Sequence, residues 1–256
     1  MLIMFCCTAA VVASADTVAL ADPRDRFETR VYRDSRGGSL PYRLLKPKDY
    51  DAGKRYPLVL FLHGAGERGD DNRAQLVHGM KDFASDEIMG KYPCFVVAPQ
   101  CPVNAQWVDT PWSAESHSLP AEPAVPMRMS LELLSALERE FSIDAHRLYV
   151  TGLSMGGFGA WDAIQRYPRR FAAAVPVCGG GDTALANSIA HVPIWVFHGA
   201  DDTAVKPKRS RDMLAAIRAA GGSPKYTEYP NTGHDSWTPT YRNLEMYAWL
   251  FAQALK

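Results

Sequence analysis

Residues Gly152-Leu153-Ser154-Met155-Gly156-Gly157 follow the apolar run Leu148-Tyr149-Val150-Thr151 and open a helix-permissive stretch. A G-x-S-x-G pattern placed between a strand and a helix lifts a serine hydroxyl clear of a sheet on a sharp turn, at a helix N-terminus where free N–H groups favour developing negative charge. Such a serine is a candidate nucleophile. Near neutral pH a hydroxyl attacks poorly without a base, and the base needs an acid to orient it. Two later segments supply these types. Ile194-Trp195-Val196-Phe197 runs into His198-Gly199-Ala200-Asp201-Asp202, and Lys225 to Tyr229 runs into Pro230-Asn231-Thr232-Gly233-His234-Asp235. The candidate set is Ser154 as nucleophile, His234 as general base and an aspartate of the Asp201-Asp202 turn as orienting acid. Asp182, after Gly179-Gly180-Gly181, is a minor alternative acid, and Asp235 is expected to face away from its neighbour His234.

The chemistry also needs donors for an oxyanion. The glycine-rich turn His63-Gly64-Ala65-Gly66-Glu67-Arg68-Gly69 follows the apolar run Leu58 to Leu62. The backbone N–H of Ala65 and that of Met155 are the expected pair. No G-x-x-x-x-G-K-[ST] or G-x-G-x-x-G occurs in this turn, which argues against a nucleotide. His63 and His198 each precede a glycine at a strand end and read as braces of their loops. Asp70-Asp71-Asn72 reads as a cap for the next helical turn. His78, His117, His146 and His191 have no metal-ligand spacing, so neither metal nor cofactor is implied.

For these loops to meet, the strands that carry them must run parallel, because the carboxyl ends of parallel strands converge on one side of a sheet. Short, nearly continuous apolar runs fit strands buried on both faces: Leu58–Leu62, Phe95–Ala98, Leu148–Val150, Ala172–Val177 and Ile194–Phe197. Helical spacing joins Met127, Leu131, Leu134, Leu137 and Phe141. Other helices are expected over Ser154–Tyr167, around Met213, Leu214 and Ile217, and through Leu244, Tyr247, Ala248 and Phe251. Phe27–Asp34 and Leu40–Pro47 read as a hairpin about Gly37-Gly38. The expected fold is α/β, a mostly parallel central sheet with helices on both faces and an antiparallel hairpin at its edge. The long loop from Cys101 to Val125, rich in Pro and carrying Trp107 and Trp112, breaks the alternation and is either a functional loop or an anchored connection.

Four motifs taken together resemble the α/β-hydrolase superfamily: His63 to Gly69, Ala98-Pro99-Gln100-Cys101-Pro102, Gly152 to Gly157, and His198 to Asp202. Within it they are similar to the bacterial peptidase/esterase group near prolyl oligopeptidase, dienelactone hydrolase and polyhydroxybutyrate depolymerase-like carboxylesterases. The resemblance implies Ser154, His234 and Asp202 in the roles above. It favours Asp202 over Asp201, because H-G-x-x-D-x-x-V runs His198, Gly199, Asp202, Val205. It further implies that Trp107 lies near the acyl pocket. The expected activity is hydrolysis of carboxylic esters through an acyl-enzyme. A serine peptidase acting on short peptides and a catalytically silent binding protein of the same fold are the alternatives. No N-terminal propeller precedes the motifs, which argues against the peptide sieving of prolyl oligopeptidase.

The whole chain agrees with this class. Its 256 residues are 47% apolar and carry 28 Lys+Arg against 28 Asp+Glu, enough for a large core and without the basic excess of nucleic-acid binders. Residues 1–21 hold no Lys or Arg, run apolar from Leu2 to Ala15 and contain Ala13-Ser14-Ala15 and Ala19-Leu20-Ala21. They read as a secretory signal that lacks a basic n-region, leaving residues 22–256 as one catalytic domain, secreted or periplasmic, without stable membrane insertion. Partners are then a small-molecule or polymer-linked ester. Cys94, Cys101 and Cys178 are an odd set whose pairing the spacing leaves open.

Overall fold

The computed structural model describes residues 22–256; the expected signal segment lies outside the described residues. Eight strands form one sheet in the order β1-β2-β4-β3-β5-β6-β7-β8. They are β1 (Glu28–Arg33), β2 (Ser39–Leu45), β3 (Tyr56–Leu62), β4 (Phe95–Pro99), β5 (Ile143–Leu153), β6 (Ala173–Val177), β7 (Trp195–Gly199) and β8 (Lys225–Tyr229). β1 and β2 pair antiparallel, as do β2 and β4, and the pairings from β4 through β8 are parallel. At the hairpin, the Asp34 carboxylate accepts the N–H groups of Arg36 and Gly38, and Gly37 takes the positive φ of 83° that the turn requires.

Period-two alternation within each apolar run divides the core in two. Along β3, Leu58, Leu60 and Leu62 face one cluster while Val59 and Phe61 face the other. The first cluster is closed by α3 (Val125–Glu140), α4 (Met155–Arg166) and α6 (Lys208–Ala219). The second is closed by α1 (Met80–Phe83), α2 (Asp86–Lys91) and α8 (Leu244–Phe251). Two short helices, α5 (Ala186–Ile189) and α7 (Trp237–Tyr241), complete the set. α1, α2, α5 and α7 have no counterpart in the sequence reading, because at four to six residues they are too short to show a helical period.

The long loop after β4 has neither helix nor strand until α3, yet it is tied down along its length. Arg209 of α6 donates to the Ala114 carbonyl and to His117 Nδ1. The Asp182 carboxylate accepts the Leu119 N–H, and Arg166 of α4 donates to the carbonyls of Pro120, Ala121 and Glu122. Arg166 is itself held by Asp162 one turn back, whose carboxylate is 1% exposed. Burial lifts that carboxyl to about 6, against the lowering effect of the guanidinium. Cys94, Cys101 and Cys178 are free, buried thiols, so the described residues contain no disulfide.

Candidate active site

β5 ends at Leu153 and α4 begins at Met155, leaving Ser154 alone on the turn with φ 52° and ψ −117°. That strained, positive-φ conformation is held from both sides. The Ser154 N–H donates to the Val177 carbonyl at 3.0 Å, and the Ser154 carbonyl accepts the Phe158 N–H at 3.1 Å. The glycines allow the elements to close: a Cβ on Gly152 would lie 2.3 Å from the Gly156 oxygen, and one on Gly156 only 1.9 Å from the Leu62 oxygen. No larger residue fits at either position without moving backbone.

Ser154, Asp202 and His234 meet at the carboxyl ends of β5, β7 and β8. The Ser154 hydroxyl oxygen is 2.9 Å from His234 Nε2, and His234 Nδ1 is 2.7 Å from Asp202 Oδ2. The two loops that carry the acid and the imidazole are zipped together. Asp201 donates its N–H to the Thr232 carbonyl, and a Cβ on Gly199 would fall 2.1 Å from the Gly233 oxygen. The Trp237 and His234 rings pack perpendicular to each other, centroids 5.2 Å apart at 89°.

Asp202 is buried, and its other oxygen, Oδ1, accepts the N–H groups of Ala204 and Val205 at 2.9 and 3.0 Å. Burial alone would raise its carboxyl; hydrogen bonds from His198, His234 and the Val205 N–H overcome that and hold it well below the usual carboxylate range. An ionised carboxylate only accepts, so His234 carries its proton on Nδ1 and presents the Nε2 lone pair to the serine hydroxyl. This is the protonation pattern that proton abstraction from serine requires.

The alternatives to Asp202 are turned elsewhere. Asp201 is exposed. Asp235 accepts the N–H and hydroxyl of Thr238 at the start of α7, and Asp182 is engaged by Leu119 and Ala184. Asp71 accepts the N–H groups of Arg73 and Ala74 just before a short 3-10 turn, whose N-cap position is Arg73.

Met155 is the first residue of α4, and Ala65 is the first of the 3-10 turn Ala65–Glu67, so neither N–H has a partner within its own helix. The loop carrying Ala65 is built on His63. Trp107 donates its indole N–H to the His63 carbonyl at 3.0 Å, and the Cys101 N–H donates to His63 Nε2 at 2.9 Å. With Nε2 accepting, the His63 proton sits on Nδ1 and is donated to the Gly64 carbonyl. Burial lowers His63 to about 4, which keeps the ring neutral. Trp107 is 0% exposed and packs beneath this loop beside Gly159, rather than standing open to solvent.

Two neighbours of the site were not legible from spacing. Cys178 follows directly after β6 with a φ of 40°, and its sulfur, an Asp202 oxygen and a His234 nitrogen lie within 4.8 Å of one another. Those donors are the one set of metal-ligating types brought together among the described residues, but Asp202 and His234 are already engaged with each other. Burial pushes the Cys178 thiol up to about 12. The other neighbour is His198, whose Nε2 is 3.3 Å from Asp202 Oδ2. The only available signal for either was position, each standing at the carboxyl end of a parallel strand.

The sequence profile of the Esterase family matches residues 35–239. A solved structure of a thermostable esterase superposes with a TM-score of 0.85 at 42% identity, covering 91% of this chain and 64% of that one. A probable carboxylesterase of Oryza sativa subsp. japonica is 27% identical over 198 residues, 70% of this chain and 81% of that protein. A bifunctional acetylxylan esterase/xylanase of Neocallimastix patriciarum is 25% identical over 122 residues, 46% of this chain and 17% of that protein. The chain thus spans most of the rice protein, under two thirds of the thermostable esterase and a small part of the fungal one. The eight-stranded, mostly parallel sheet is that of an α/β-hydrolase.

Proposed function

The chain belongs to the Esterase family, and on that premise we propose that it hydrolyses carboxylic esters through an acyl-enzyme built on Ser154. The observation that carries this reading is the hydrogen-bonded chain Ser154 Oγ–His234 Nε2 and His234 Nδ1–Asp202 Oδ2, at 2.9 and 2.7 Å.

In this reading His234 takes the serine proton as Ser154 attacks the ester carbonyl. The N–H groups of Met155 and Ala65 bind the oxyanion of the tetrahedral intermediate, where preorganised donors act most strongly. His234 then protonates the departing alcohol. Water, deprotonated by the same imidazole, attacks the acyl-serine and releases the acid. Asp202 keeps the imidazole in the Nδ1–H tautomer and stabilises it when it carries charge. Trp107 contributes by fixing the His63 carbonyl, and through it the loop that bears Ala65. The substrate is a small or polymer-linked carboxylic ester, a class consistent with the acetylxylan esterase among the similar proteins. We take residues 22–256 as one catalytic domain and residues 1–21 as a secretory signal, supported by their apolar run and Ala-x-Ala sites. No helix among the described residues is long and apolar enough to cross a membrane.

The test is hydrolysis of p-nitrophenyl acetate, butyrate and octanoate beside a matched aminoacyl p-nitroanilide, with Ser154→Ala as control. Ester turnover that disappears in the variant supports the reading, and the chain-length profile sizes the acyl pocket. Anilide turnover without ester turnover would replace it with a peptidase. An N-terminus beginning near residue 16 or 22 in the exported protein would support the signal, whereas retention of Met1 there would oppose it.

A further inference from the structure

We infer that His198 is a positioning residue for the acid of the site, a second histidine that meets Asp202 at the same oxygen as His234. The inference rests on the assignment of Asp202 and His234 made above.

His198 and Asp202 are both fully buried, with side-chain exposures of 0%, and His198 Nε2 lies 3.3 Å from Asp202 Oδ2. The same nitrogen is 2.8 Å from the Val205 carbonyl. A carbonyl oxygen and an ionised carboxylate are acceptors only, so Nε2 carries a hydrogen. It is given chiefly to Val205, with Asp202 close alongside. Val205 closes the turn, since its own N–H donates to Asp202 Oδ1. His198 therefore holds both ends of the Asp202–Val205 turn from within the protein. Counting donors, Oδ1 faces the Ala204 and Val205 N–H groups, and Oδ2 faces the two histidines. Both oxygens of the carboxylate thus face donors in this rotamer of Asp202.

The far side of the ring explains why a histidine serves here. His198 Nδ1 is 2.7 Å from Ser210 Oγ, and that hydroxyl is 3.3 Å from the Gly179 carbonyl. With a neutral ring, the hydroxyl donates to Nδ1. With a protonated ring, Nδ1–H donates to Ser210, whose hydrogen turns to Gly179. Either way the Nε2 hydrogen stays on the acid turn. The other ionisable groups around the ring are accounted for. Glu228 stands opposite on β8, bonded to Arg211 and Tyr226. Cys178 follows the end of the neighbouring β6, and Arg209 on α6 points its guanidinium at Ala114 and His117.

Removing the Nε2 donor concentrates the charge of Asp202 on the remaining histidine. The acid limb of the kcat/KM–pH profile, which reports the general base, then moves to higher pH. His198→Leu is expected to shift that limb up by about half a unit to one unit and to lower kcat on the order of tenfold, the worth of one hydrogen bond to a charged group. His198→Gln, whose amide can present a donor near the Nε2 position, returns both toward the wild type. A packing role alone would lower the rate at every pH in both variants with the limb unmoved, and that result overturns the inference, as does a His198→Leu profile that coincides with the wild type. Should His198→Leu not fold, His198→Ala removes the same Nε2 donor, and an unshifted limb in that variant counts against the inference. Labelling by a fluorophosphonate probe separates this from the parent assignment. If the wild type is not labelled at Ser154, the parent assignment fails and this inference with it. If Ser154 is labelled and the variants leave the limb in place, only the inference about His198 fails.

Discussion

Gly156 and Leu62, on α4 and at the end of β3, approach so closely that a single added methyl on Gly156 would sit 1.9 Å from the Leu62 oxygen. The contact joins the turn of Ser154 to the loop of Ala65, so the proposed nucleophile and the proposed oxyanion donor are set relative to each other by backbone rather than by adjustable side chains. Gly156→Ala must push these elements apart. We expect it to cost at least about 3 kcal/mol, in the range of severe overpacking, and to remove most activity. Urea unfolding of the purified variant checks this; wild-type stability and turnover would contradict the rigid approach.

Ser154→Ala is expected to lower ester turnover by about 10⁴-fold or more, as deletion of a triad nucleophile does, while the unfolding midpoint stays near that of the wild type or rises, since the strained φ of 52° remains. Steady-state kinetics with circular dichroism as the fold control checks both halves.

Adjacent aspartates separate the acid from its neighbour. Asp202→Asn keeps the shape but removes the charge that selects the Nδ1–H tautomer, and a loss of about 10³- to 10⁴-fold in kcat is expected. Asp201 is exposed and engages the site through its backbone N–H, so Asp201→Asn is expected to change kcat by less than about threefold, as surface substitutions do. Comparable losses in the two variants would reverse the assignment.

Trp107→Phe deletes the donor to the His63 carbonyl and leaves that buried oxygen unmatched. The expected cost is about 1–3 kcal/mol in stability, with a drop in kcat that exceeds any change in KM, because the loop carrying Ala65 loosens. A rise in KM alone would instead make Trp107 a wall of the acyl pocket. Matched thermal unfolding and kinetics distinguish the two.

The buried pair Asp162–Arg166 carries a pH signature. Its carboxyl stands at about 6 in the folded chain against an ordinary 3.8. A raised value means that the folded state holds this proton more tightly, so the contribution is fully present below pH 3.8 and is lost as the pH rises through about 6. The stability difference between wild type and Asp162→Asn should therefore move against the wild type by about 3 kcal/mol between pH 3.8 and 7. Urea titrations of both proteins across that range give the answer, and parallel curves would refute it. Loosening of the 120–122 loop segment, detected by limited proteolysis, should accompany loss of Arg166.

Much of this protein was written locally. The glycines around Ser154, the apolar runs of β3 to β7, the hairpin about Gly37 and the order Ser154, Asp202, His234 are properties of a few adjacent residues, and steric limits on a turn or the two-residue period of a strand act at that range. From them follow a parallel sheet, its faces and the side of the sheet on which the chemistry gathers. Choosing Asp202 over Asp201 already needed the likeness to related motifs, because one residue of spacing decides which carboxylate turns inward. What tertiary structure alone decided depends on groups far apart in the chain. The burial of Trp107 beneath the His63 loop, the tying of the long loop by Arg166 and Arg209, the thiol of Cys178 under the site and the contact of His198 with Asp202 all arise where separate strands end side by side. No local pattern encodes such a meeting. It is set by how the sheet twists and by which neighbouring loops exclude water from the same small volume, and that burial is what gives these polar groups their partners and their protonation states.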